Sequence, residues 1–331
     1  MSFPPPAFAE GRLQRESIHE KQMKNLTLAI DYDALFKNRM IILSGLSSSG
    51  TGILYRIVGS FQDVVPLFQP TIIRYIPTLA YKKIISVSLA SQLLKGILFE
   101  DYYLQHIHGR KLNFKEIDMS YIGNFEDISS IKERWEKYQR RLDVIPDLNK
   151  GKYTFAFKIS ELQPIYFLFD RIFEGVKIIE LVRNGNDLIG SSLRRGWYTD
   201  DYLNHSQEEW IRPGKVKIPW HIDRKHEKSF SGWNPPTRVA HLWRTMTEAG
   251  FRYHQKRSNY LRIKYEDLLR EPEEITKRCE DFLGLKRTDI TVKNIKDIQQ
   301  HSVRRYDNVI DQIDKEEAAP FIKMMKKLNY L

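Results

Sequence analysis

The chain has 331 residues, 41% of them hydrophobic and 12% aromatic, which is ample material for a buried core. Its 53 Lys and Arg against 42 Asp and Glu leave a net charge of +11, which favours an anionic partner, while a charged fraction of 29% excludes wholesale disorder. A single cysteine, Cys279, excludes a disulfide framework and a zinc–cysteine site.

The opening stretch, MSFPPPAFAEGRL, carries Pro and Glu where a signal peptide would place its apolar run. Residues 1–25 read as a flexible arm ahead of one domain over residues 26–331. Met40 to Leu43 is apolar throughout, the pattern of a strand covered on both faces. GLSSSGTG (Gly45 to Gly52) follows, then Ile53, Leu54, Ile57 and Val58 at helical spacing. Residues 66–150 read as a helical insertion with little strand signal; its apolar stretch from Ile84 to Leu94 is interrupted by Ser and Gln and falls short of the roughly 20 residues that span a bilayer. Strands are expected at Tyr153 to Phe157, Val176 to Val182 and Tyr260 to Lys264. Residues 198–236, rich in Trp, Pro and Gly, read as a long lid-like loop. Pro272 opens a helix and Gly284 closes it. Strands alternating with helices predict a three-layer α/β fold around a central, mostly parallel sheet.

The loop after the first strand is built for an anion. Unpaired N–H groups and the positive end of the helix dipole favour phosphate or sulfate there. Gly45, Gly50 and Gly52 allow close approach, and Ser47, Ser48, Ser49 and Thr51 add hydroxyl donors. A nucleotide triphosphatase loop needs Lys before its Ser or Thr, and Thr51-Gly52 stands here instead, which argues against a kinase or ATPase. Strand Val176 to Val182 ends in Arg183, with Ser191 eight residues on. Both fall near the carboxyl ends of the strands, where doubly wound sheets place ligands. The guanidinium fork of Arg suits a phosphate.

At this point the chain resembles a known family. KIIELVRNGNDLIGSSLRRG is similar to the 3′-phosphate segment of sulfotransferases, with Arg183 and Ser191 in the matching places. GLSSSGTG resembles their 5′-phosphosulfate loop, and YLRIKYEDLLREPEEITKRCEDFLGL a third signature. The resemblance implies a P-loop NTPase-like sulfotransferase fold, 3′-phosphoadenosine 5′-phosphosulfate (PAPS) as donor and adenosine 3′,5′-bisphosphate as product. On it, Ser48, Ser49, Gly50, Thr51 and Gly52 hold the 5′-phosphosulfate, Arg183 and Ser191 hold the 3′-phosphate, Tyr265 meets the adenine, and Arg304 or Arg305 closes over the nucleotide. No metal is implied.

Two departures bear on the chemistry. The family usually carries Lys or Arg before its Ser-Gly-Thr, and this chain has Ser48; Lys158, at the end of the strand through Phe157, is the substitute cation. Many members place a Glu after the first helix, where this chain offers Gln69, which cannot accept a proton. His106 and His108 lead as bases over Glu100, Asp101 and Glu161. The expected activity is transfer of a sulfonate to a hydroxyl or amine of a carbohydrate, lipid or small metabolite; Ser48 and Gln69 keep open a nucleotide-binding protein with weak or lost transfer. Trp197, Trp210, Trp220 and Trp233 are candidates to stack on the acceptor. No basic run or recognition motif points to nucleic acid, and a cytoplasmic enzyme is expected.

Overall fold

The computed structural model describes residues 31–331 apart from 69–70, 141, 206–216, 256, 299–304 and 307–308. The arm expected over residues 1–25 lies outside the described residues.

Five strands form one parallel sheet: β1 (Met40–Gly45), β2 (Val64–Phe68), β3 (Thr154–Lys158), β4 (Lys177–Val182) and β5 (Tyr260–Lys264), in the order β2-β3-β1-β4-β5. Both faces are covered, so the central strands are apolar in succession rather than alternating. Met40 and Ile42 of β1 join Phe155, Phe157 and Ile178 in one core, which helices on that face complete with Leu94, Tyr166 and Phe169. Ile41 and Leu43 point the other way, packing with Ala156, Ile179 and Ile263 beneath helix α1 (Thr51–Gly59) and the buried Cys279. The result is the three-layer α/β arrangement that the alternation of elements predicts.

The remaining helices that frame the site are α2 (Thr71–Tyr81), α3 (Gly185–Arg194), α4 (Pro235–His254), α5 (Tyr265–Arg270), α6 (Pro272–Leu283) and α7 (Lys315–Lys327). Asn184 caps α3 by accepting from the Asn186 N–H at 2.9 Å, and Asn234 caps α4 through Thr237 N–H at 2.9 Å. Pro272 stands at the first position of α6, and Gly284, with φ +71°, ends it. Glu317 of α7, buried, accepts from Arg244 Nη2 and pairs with His241 Nδ1, both at 2.9 Å, which ties α7 to α4 over the third core cluster.

Two expectations differ from the structure. Val64–Phe68 is a strand that runs into the start of the stretch 66–150 read as helical and loop; Pro66 masks it, yet β2 lies at the edge of the sheet and pairs with β3 alone, where a missing N–H is tolerated. The stretch from 198 to 236 is not a structureless loop where it is described: Asp200–His205 and Glu227–Gly232 are helical.

β4 also carries a buried charge. Glu180 is fully buried and accepts from Arg262 Nη2 at 2.9 Å and from the Tyr260 hydroxyl. Removing one partner of such a pair strands the other, which costs about 3–5 kcal/mol. Arg262→Met should therefore destabilise by about that amount in urea denaturation, and adding Glu180→Met should recover much of the loss.

Candidate nucleotide and transfer site

The site lies at the carboxyl edge of the sheet, where β1, β3 and β4 end side by side. After β1 the chain turns through Leu46 to Gly50 and enters α1 at Thr51. Ser49 N–H donates to the Leu46 carbonyl at 3.1 Å, and Ser48 (φ +68°) and Gly50 (φ +84°) take the left-handed backbone region. Gly50 is required twice over, because a Cβ there would lie 2.4 Å from the Tyr265 ring. No side chain caps α1, and the buried hydroxyls of Ser48 and Ser49 have no hydrogen-bond partner among the described residues. Buried polar groups are ordinarily paired. Orphaned donors at an uncapped helix start therefore fit a phosphate or phosphosulfate.

Arg183 leaves β4 next to this loop. Its Nη1 donates to the Ser48 carbonyl at 2.9 Å, and its guanidinium lies 4.7 Å from the centre of the Tyr265 ring. The Arg183 carbonyl accepts from Trp243 Nε1 of α4 at 2.9 Å, so its backbone is held from behind. Glu266 of α5 accepts from Asn184 N–H at 2.9 Å, which sets Tyr265 relative to the start of α3. Burial raises the Tyr265 phenol above its usual range, against the opposing pull of Arg183, so the ring stays neutral. Four residues named from sequence, Ser48, Gly50, Arg183 and Tyr265, thus form one contiguous wall. Ser191 is buried on α3, the helix that follows Arg183, while Ser49 is buried in the loop and Thr51 at the start of α1. Gly52 packs under Met119, whose sulfur would lie 2.6 Å from an added Cβ.

Arg305 is at the rim of α3, where Nη1 pairs with Asp187 Oδ2 at 3.0 Å; Asp187 Oδ1 also accepts from Tyr306 N–H at 3.0 Å. The Tyr306 ring lies flush against Gly190, the residue before Ser191. Arg304 lies outside the described residues. Asp187 is thus the anchor for the segment that carries Arg305, a role that a first-turn acid does not disclose on its own.

Lys158 ends β3 with 5% exposure and its Nζ 4.8 Å from the centre of the Phe68 ring at the end of β2. Burial, and then Arg74 of α2, lower its pKa to about 8, with Glu161 pulling the other way. Beyond Lys158 the chain keeps to β1: Ile159 N–H donates to Leu43 O at 3.0 Å and Glu161 N–H to Gly45 O at 2.9 Å. Glu161 is thereby set against the loop, where Oε1 accepts from Ser47 N–H at 3.4 Å and from the Tyr198 hydroxyl at 3.3 Å.

His106 lies in a short helix, Leu104–Ile107, with His108 just past its end. His106 shares a cavity of about 210 Å³ with Phe68, Lys111, Asn113 and Ser120, and burial followed by Lys111 and Arg134 lowers its pKa to about 4, leaving it neutral. His108 Nε2 is buried without a partner among the described residues. No described hydrogen bond joins either histidine to Lys158 or to the loop. Gln69 and the Asp101 side chain lie outside the described residues, as does Trp210. Trp220 and Trp233 are buried in core clusters, which removes them as free stacking platforms. No group of three or more metal-ligating side chains is found among the described residues, and no described helix is long and apolar enough to cross a membrane.

A parallel sheet whose first strand feeds a glycine-and-serine loop, with an Arg-tipped neighbouring strand, defines a three-layer α/β protein with a helix start suited to an anion. Residues 38–324 match the sulfotransferase domain family, and the chain belongs to it. No curated protein sequence matches the chain. Among solved structures it is similar to the sulfotransferase domain of the Synechococcus PCC 7002 olefin synthase, at 12% identity over 88% of this chain and 94% of that one, with a TM-score of 0.45. A sulfotransferase from Mycobacterium avium matches at 12% identity over 88% of this chain and 77% of that one, TM-score 0.45. A retinol dehydratase solved with androsterone and inactive cofactor PAP matches at 14% identity over 91% and 84%, TM-score 0.37. Membership rests on the family match, and the site on its own geometry.

Lys158 gives the site a pH dependence. Below about 8 it is an ammonium that attracts an anion, and above about 8 it is a neutral amine. Calorimetry with adenosine 3′,5′-bisphosphate should show affinity falling as pH rises from 7 to 9, and Lys158→Met should flatten that dependence.

Proposed function

We propose that this chain transfers the sulfonate of PAPS to a hydroxyl or amine of a carbohydrate, lipid or small-metabolite acceptor, releasing adenosine 3′,5′-bisphosphate. The observation that supports this best is the bond from Arg183 to the Ser48 carbonyl beneath the Tyr265 ring. On this reading Arg183 meets the 3′-phosphate, the loop the 5′-phosphate and the Tyr265 ring the base, and the three are neighbours. A nucleotide phosphorylated at both ends of its ribose meets all three; a triphosphate leaves the Arg183 side unused.

In this reading the bound donor supplies an activated sulfonate on a good leaving group. The chain's own groups do the rest. Loop N–H groups and the hydroxyls of Ser48, Ser49 and Thr51 hold and neutralise the phosphosulfate end, with Gly50 and Gly52 admitting it. Arg183 and Ser191 fix the 3′-phosphate, and Arg305, swung from Asp187, closes from the rim. Lys158 supplies the positive charge that Ser48 does not, which weighs against a protein that only binds nucleotide. The segment from residue 26 to 331 is read as one domain, in line with the family match from 38 to 324.

Two measurements test this. Arg183→Ala should weaken adenosine 3′,5′-bisphosphate by about 1.5–3 kcal/mol, the range for hydrogen bonds to charged groups; unchanged bisphosphate affinity would remove Arg183 from the site. Lys158→Ala should lower turnover with radiolabelled donor and a panel of hydroxyl and amine acceptors far more than it lowers nucleotide affinity, and equal losses would reduce Lys158 to a binding group.

A further inference from the structure

We infer that Glu161 is the general base of the transfer reaction, an assignment that rests on the sulfotransferase reading above. The backbone places it there. Two hydrogen bonds continue β3 alongside β1 past Lys158, to Leu43 O and then Gly45 O, so Glu161 reaches the first residues of the phosphate loop. Lys158 and Glu161 occupy one short turn, cation and carboxylate three residues apart, both almost fully buried.

The turn is held in a strained form. Glu161 has φ +67°, Tyr198 φ +64° and Ser48 φ +68°. Of the seven non-glycine residues in that backbone region among the described residues, these three are neighbours, because the Glu161 carboxylate touches both the Tyr198 hydroxyl and the residue before Ser48. An L-residue in that region brings its Cβ too close to the following carbonyl oxygen. Strain of this kind persists where surrounding structure over-determines it, and it concentrates at functional sites. Here Arg238, buried in α4, donates to the Tyr198 carbonyl at 3.1 Å and fixes that residue from behind.

The carboxylate is equipped to take a proton. Its Oε1 is oriented by two donors, the Tyr198 hydroxyl and Ser47 N–H, and Oε2 has no described hydrogen bond. Burial first, and then the Glu161 charge, raise the Tyr198 phenol well above its usual range, so Tyr198 stays a donor and leaves proton acceptance to the carboxylate. A buried carboxylate beside a loop that gathers anions needs a compensating cation, and Lys158 supplies it.

In the transfer step Glu161 takes the proton of the acceptor hydroxyl as the acceptor oxygen bonds to sulfur. The sulfur–oxygen bond to the 5′-phosphate breaks, and its electron pair stays on the phosphate oxygen. The products are the sulfated acceptor, adenosine 3′,5′-bisphosphate and a protonated Glu161, which returns its proton to water. His106 and His108 have no part in this step.

Glu161→Gln isolates the role, since the amide oxygen can accept from Tyr198 and Ser47 but cannot take a proton. Two readouts on the full chain apply: release of inorganic sulfate to water from radiolabelled PAPS, and calorimetric affinity for adenosine 3′,5′-bisphosphate. Sulfate release should fall about 10²–10⁴-fold, the usual contribution of a general base. Nucleotide affinity should stay the same or tighten up to about tenfold, because a negative charge has left the anion loop. Sulfate release within threefold of wild type, at whatever absolute rate, overturns the assignment. So does a tenfold weaker affinity, which would make Glu161 a brace for the loop. A wild-type chain that binds no adenosine 3′,5′-bisphosphate fails earlier and removes the sulfotransferase reading itself.

Discussion

The hydrogen bond from the Arg183 guanidinium to the Ser48 carbonyl is the constraint on which the site depends. β1 and β4 are neighbours in the sheet, so the chain segments leaving them emerge about one strand spacing apart, near 4.8 Å. That spacing alone leaves the two segments free to splay. Arg183 joins them, and the Tyr265 ring closes the join from the end of β5 by filling the space that Gly50 leaves. Three strand ends are thereby locked into one surface. A side chain at position 50, or a shorter one at 183, would break the same lock from opposite sides.

The second half of the site obeys the same geometry on the other side of β1. β3 pairs with β1 in parallel register, and its extension carries Lys158 and Glu161 along the edge of the phosphate loop. On the proposed reading the loop therefore has its nucleotide wall toward β4 and a charged wall, with Lys158 and Glu161, toward β3. The sheet order β2-β3-β1-β4-β5 puts the loop-bearing strand in the centre, which is what lets both walls be built from short connections.

How much of this the sequence disclosed follows from the range of the interactions. Runs such as Met40 to Leu43 and Val176 to Val182 are visible because burial on both faces writes itself into consecutive residues, and the loop is visible because Gly45, Gly50 and Gly52 answer a local backbone need. Arg183 and Ser191 are legible for the same reason, being tied to a strand end and the helix after it. β2 was hidden because Pro66 is a local signal against strand, and the fact that excuses it, an edge position, is global. The importance of Glu161 was hidden because it depends on a pairing with Gly45 more than a hundred residues earlier. In sequence it was one acid among several, while His106 and His108 stood out by residue type. Asp187 was hidden likewise, since its partners, Arg305 and Tyr306, lie far along the chain.

The electrostatics reconcile an excess of positive charge with a site that relies on buried acids. Glu161, Glu180, Asp187 and Glu317 are all buried, and the last three each face an arginine within hydrogen-bond distance. In those pairs the acid's function is to place a cation or a helix, and the guanidinium satisfies it. Glu161 differs: its nearest described partners are a phenol and a backbone N–H, both neutral. Neutral donors orient a carboxylate without neutralising it, and Lys158, which feels the Glu161 charge, is the buried cation of the same turn. A cation held without a direct ion pair keeps its field for an incoming anion. The positive φ at Glu161 sets its carboxylate against Ser47 and Tyr198, so cation and carboxylate share one turn with no described ion pair between them, which is the arrangement the proposed transfer uses.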